Sequence, residues 1–119
     1  MKWSYDEAIE RVTEELKKEG FGVLTTIDVK ETLKKKLNVD FRRYVIFGAC
    51  NPALAHKALL AEEQIGLLLP CNVIVYETEK ATVVAAFEPM SMLELVKNEK
   101  LGLIAQEVQE RLARVIGGV

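Results

Sequence analysis

The stretch Arg43-Tyr44-Val45-Ile46-Phe47-Gly48-Ala49-Cys50-Asn51-Pro52 decides how this chain is organised. Tyr44, Ile46 and Gly48 alternate with Val45, Phe47 and Ala49, so both faces of the segment are apolar. That pattern predicts a central strand rather than an edge. The run breaks at Asn51-Pro52. Asparagine is a strong N-cap, and proline suits the first position of a helix, where its missing N–H goes unused. A strand therefore passes directly into a helix, with Leu54, Ala58 and Leu59 forming the expected inner face.

Upstream, Ser4-Tyr5-Asp6-Glu7 has the form of a capping box. Ile9, Val12 and Leu16 follow at helical spacing, and Gly20 is the expected stop. Phe21–Ile27 reads as a strand. Asp28 then caps a short helix that carries Glu31 early and Lys34-Lys35-Lys36 late, each charge suiting the dipole. Downstream, Gly66–Pro70 reads as an extended connector, Asn72–Tyr76 as a third strand and Glu77–Lys80 as a turn. Thr82–Phe87 is the fourth strand, giving a hairpin. A helix from about Ser91, broken near Asn98, places Leu101, Ile104, Val108, Leu112 and Val115 on one stripe before Gly117-Gly118. The expectation is one α+β domain over residues 1–119, in the order α-β-α-β-α-β-β-α. It is a two-layer sandwich with helices packed on a mixed four-stranded sheet. The other face of that sheet needs covering, and a homodimer does this most simply.

The 119 residues suit one domain and need no metal or disulfide staple to fold. The formal net charge is −2 with both signs interspersed, which argues against nucleic acid as a partner. Apolar runs such as Ala81–Phe87 are too short to span a bilayer, and Met1-Lys2-Trp3-Ser4 lacks a signal-peptide core. A cytoplasmic protein with two free thiols is expected.

Two Cys-Asn pairs, Cys50-Asn51 and Cys71-Asn72, stand at element junctions. The stretch Phe47–Pro52 with Ala55 and Ala58-Leu59, then Gly66–Val73 and Tyr76-Glu77, resembles the domain of unknown function 302 family of small bacterial and archaeal proteins. Gly20-Phe21-Gly22-Val23 and Ile27-Asp28 fit the same pattern. Phe47 stands where leucine is usual in that family. The resemblance spans essentially the whole chain. It implies a compact, dimeric α+β protein and no established activity.

The candidate site follows from chemistry at the two pairs. Cys50 lies beside a helix start, where free amides and the dipole can lower a thiol pKa or bind an anion. Asn51 is divided between capping that helix and facing a ligand. Asp28, at a strand end, is a cap that can also line a cleft. His56 with Cys50 and Cys71 makes a donor set acceptable to zinc or copper, although the spacing matches no known zinc pattern. Each of these residues also has a plain structural reading. Free cysteine packs as a small hydrophobe, and a helical histidine is commonly exposed.

Whether the thiols meet depends on residues 65–70. A parallel third strand would leave Cys50 and Cys71 ~15–20 Å apart, whereas a returning connector would bring them together. The reading is a small homodimeric binding protein whose pocket, at Cys50, Asn51, Cys71 and Asn72 with Asp28, takes a small molecule, an anion or a metal ion. One alternative is a thiol-dependent enzyme or redox protein using Cys50, against which no acid completes a Cys-His pair. The other is a structural or interaction protein without a ligand site. The sequence leaves the cofactor unspecified.

Overall fold

The computed structural model describes residues 3–119. Ser4 opens α1 (Tyr5–Lys18) by accepting the Glu7 N–H at 3.2 Å, and Ala8, Val12 and Leu16 are buried along one face. The helix ends where Gly20 takes a left-handed φ of 84° and the Phe21 N–H returns to the Leu16 carbonyl. β1 (Gly22–Asp28) runs straight into α2 (Val29–Leu37), with Asp28 accepting the Glu31 N–H at 3.0 Å. β2 (Tyr44–Cys50) passes into α3 (Pro52–Ala61) through the Asn51 cap. A 3₁₀ turn (Glu63–Leu68) leads to the hairpin of β3 (Cys71–Glu77) and β4 (Thr82–Ala86). A second 3₁₀ turn (Pro89–Ser91) and the short α4 (Met92–Leu95) precede α5 (Lys100–Gly118), so the last helical region is broken around Asn98 as its sequence suggests.

The sheet order is β1-β2-β3-β4. All three pairings are antiparallel, which corrects the expected mixed sheet. The connector that carries the chain back is a 3₁₀ turn rather than the extended segment read from Gly66–Pro70. Ten helical residues carry the chain ~15 Å from the end of β2. Six 3₁₀ residues and two extended ones span a comparable ~19 Å. The chain therefore leaves and returns to the same end of the sheet.

The two sheet faces differ. Val45, Phe47, Ala49, Cys71, Val73 and Val75 point into the main core, against α1 and the second half of α5. Tyr44, Ile46 and Gly48 point the other way. A second cluster of Ala58, Ile65, Met92, Leu101 and Ala105 joins α3 to the start of α5. The Asn98 side chain ties it together by donating to the Ala61 carbonyl at 2.7 Å. Leu54 and Ala58 form the inner face of α3, while Leu59 is 42% exposed. Among the described residues no helix is long and apolar enough to cross a membrane.

Gly48 makes the return possible. A Cβ there would collide with the Thr25 hydroxyl and lie 2.7 Å from Pro70 Cγ. With only hydrogen at this position, the Leu69-Pro70 segment lies down on β2 and delivers Cys71 opposite Ala49. Gly48→Ala should therefore cost about 1–3 kcal/mol, since neither the proline ring nor β1 can step aside freely. Urea denaturation checks this, the expected result being a lower midpoint with an unchanged slope; an unaltered midpoint would show that the contact is not confining.

Candidate functional site

Because β3 starts opposite Ala49, Cys71 lies one residue out of register from Cys50 on the neighbouring strand. The two thiols and Asn51 line one cavity of about 340 Å³ between the sheet end, α3, α5 and the 3₁₀ connector. α3 presents Leu54 and Ala58 to it, α5 presents Ile104 and Val108, and the connector adds Leu69 and Pro70. The space exists because several lining positions are small, namely Ala49, Ala55, Ala58, Gly66 and Ala105. Leu24 reaches the wall through an irregularity in β1, where the pairing register slips between Val23 and Thr25. Such bulges re-aim a side chain, and this one leaves Leu24 66% exposed on the cavity wall. The wall carries no charged residue.

Asn51 is the one side chain on the wall with strong hydrogen-bonding groups, and it is only 9% exposed. Its Oδ1 accepts the Leu54 N–H at 3.3 Å, and its Nδ2 donates to the Glu19 carbonyl at 3.4 Å. Arg111 donates to the same carbonyl at 3.0 Å, so the end of α1, the start of α3 and the middle of α5 meet at one oxygen. Pro52 has no N–H, Leu54 is capped, and the Ala55 N–H is taken by the Asn51 carbonyl. Ala53 is the one amide left in that first turn, too few to make the anion nest that a helix start can offer.

Both cysteines are free. Burial pushes the Cys50 thiol up from its ordinary value. Burial, aided by the neighbouring Cys50, pushes Cys71 up to about 11. This reverses the lowering expected at a helix start. In an apolar wall desolvation penalises the thiolate, and among the described residues no cation offsets it.

The remaining candidates lie elsewhere. Asp28 pairs with Val45 at the far end of β1 from Gly22, the partner of Cys50, and there it caps α2. Asn72 is exposed and alternates to the opposite side of β3 from Cys71. His56 is exposed on α3 and does not line the cavity. Among the described residues no group of three or more His, Cys, Asp or Glu could hold a metal ion. Conversely, the reading of the sequence did not find Leu24, Met92, Ile104, Ala105 or Val108 as wall residues. The signals were small: an extra apolar residue that spoils the alternation of β1, and an alanine inside the stripe of α5.

Over residues 1–119 the sequence matches the model of a family described as domain of unknown function DUF302. It is also similar to a solved structure, that of an uncharacterized conserved DUF302 protein from Bacillus stearothermophilus. The two are 34% identical with a TM-score of 0.89, over 97% of this chain and 90% of that one. No curated protein matches it.

The thiol environment has a pH signature. A group whose folded pKa is raised contributes its full stabilisation below the unfolded value and loses it as pH rises through the folded value. Folding stability should accordingly fall between about pH 9 and 11, and Cys71→Ala should flatten that decline. Urea titrations of both proteins across this range test it, and parallel declines would contradict the burial of the thiol.

Proposed function

The chain belongs to the DUF302 family, and we propose that it is a small homodimeric binding protein whose cavity takes a neutral, largely hydrocarbon molecule. The observation that carries this reading is the charge-free wall joining both thiols and Asn51. A pocket of this size and composition suits a small organic ligand. An ion entering it would lose hydration without gaining a partner. The wider expectation of an anion or metal ion narrows accordingly: the first turn of α3 offers one amide, and His56 lies off the wall. Raised thiol pKa values run against the thiol-dependent alternative, since the thiolate is the nucleophile.

The dimeric part rests on the other face of the sheet. Ile27, Ile46, Ile74 and Ala85 stand side by side across all four strands, with Tyr44, Tyr76 and Val83 in the next row. The two tyrosine rings stack with centroids 5.0 Å apart. Neither row holds a charge, and Ile27 is 46% exposed. A two-fold contact sets the same patch against itself, which a charge-free surface permits without repulsion.

N-phenyl-1-naphthylamine, a neutral fluorophore, should bind, whereas its sulfonated analogue 1-anilinonaphthalene-8-sulfonate should bind at least about tenfold more weakly. Ala105→Phe fills the space and should abolish the signal. Preference for the sulfonate, or full binding by Ala105→Phe, refutes the cavity reading. For the assembly, sedimentation should give twice 13.4 kDa for the wild type and one copy for Ile46→Glu. A monomeric wild type rules the dimer out.

A further inference from the structure

Beyond the cavity, we infer that the open edge of β4, with the groove beside α5, docks an extended peptide that adds to the sheet as a further antiparallel strand. β4 ends the sheet, and among the described residues no strand pairs with its outer side. The Phe87 N–H donates to the Asn72 carbonyl at 2.9 Å, so residue 87 faces β3. In an antiparallel ladder that direction alternates residue by residue. Val83 and Ala85 consequently face β3 as well, while Val84 and Ala86 turn their N–H and C=O groups to the open side. The strand Thr82–Ala86 carries no lysine, proline or bulge, the devices that keep such an edge from pairing. The edge of β1, in contrast, is broken by the irregularity between Val23 and Thr25.

A groove of about 370 Å³ lies beside this edge, lined by Ala86 and Phe87 on one side and by Leu112, Ala113 and Ile116 of α5 on the other. It shares no residue with the cavity. Val84 and Ala86 pack on the core side of the sheet, and directly opposed residues of neighbouring strands point to the same face. Incoming residues opposite Val84 and Ala86 therefore point towards α5, where apolar side chains fit, and those between them point to solvent. Glu88 stands at the end of the groove, extended and exposed, with no ion-pair partner among the described residues. In antiparallel alignment the residue facing it lies N-terminal to the apolar pair, and a lysine or arginine there complements its charge. The unused N–H and C=O groups specify a backbone as the occupant, because another strand offers donors and acceptors at the spacing of a ladder. A hydrocarbon surface laid on this edge would bury the same groups unpaired.

The probe is the peptide acetyl-Lys-Thr-Val-Thr-Val-Thr-Val, labelled with fluorescein at its C-terminus and titrated with the full chain by fluorescence polarisation. Its lysine faces Glu88, and its first two valines face Ala86 and Val84. N-methylation of the valine opposite Val84 removes a donor to the edge and should weaken binding at least about tenfold. N-methylation of the central threonine, whose N–H points away from β4, should change affinity by less than about twofold. Ala86→Pro deletes a donor on the open side while leaving the β3 ladder whole, and should also cost at least about tenfold. Glu88→Lys should reverse the preference between this peptide and one with glutamate in place of lysine. Equal losses from the two N-methylated peptides, or no binding at about 1 mM, overturn the inference. If Ala86→Pro lowers the mass of the assembly in sedimentation, the edge belongs to a second copy and the peptide assignment falls. Should Ala86→Pro not fold, the pair of N-methylated peptides decides on the wild type alone.

Discussion

The antiparallel pairing of β2 with β3, fixed by Ala49 opposite Cys71, is the constraint on which the rest depends. It exists because Gly48 leaves room for Pro70 and Thr25 to close over the strand. From that contact follow the all-antiparallel sheet, the approach of the two cysteines and the cavity between α3 and the start of α5. A parallel return would have sent Cys71 to the opposite end of the sheet and left Cys50 facing other neighbours.

The cavity's chemistry is set by what was left out of it. Charges of α1 and α5 form pairs such as Arg114 with Glu19 and Arg111 with Glu107, and none lines the cavity. In such surroundings a thiol keeps its proton and packs as a polarizable hydrophobe. Asn51 is the one side chain on that wall with strong hydrogen-bonding groups. Its amide is spent on the fold, joining three helices through the Glu19 carbonyl and the Leu54 N–H.

The outer face of the sheet presents a different use of the same alternation. Every second residue of β2 and β3 enters the core, and the residues between form two charge-free rows. α2 buries no residue and packs mainly beside β1 and β2, and Ile27 on that face stays 46% exposed. One sequence pattern thereby builds a core on one side and an unpartnered apolar surface on the other.

Local chemistry was legible in the sequence. The Ser4, Asp28 and Asn51 caps, the Gly20 stop, the apolar strands and the break near Asn98 each depend on neighbours a few residues away, and each stands where its residues suggest. The family resemblance and the α+β class were legible for the same reason, being carried by contiguous motifs. Strand direction was not. It turned on whether the chain after α3 runs back along the sheet, and on a glycine making room for a proline 22 positions later. Nor could the sequence separate Cys50, Asn51 and Cys71, which share a wall, from Asp28, Asn72 and His56, which do not. Residue type states what a side chain can do, but only the packed chain decides what it faces. Here that decision set two reactive-looking thiols in an apolar wall and gave the Asn51 cap a second task, joining α3 to the end of α1.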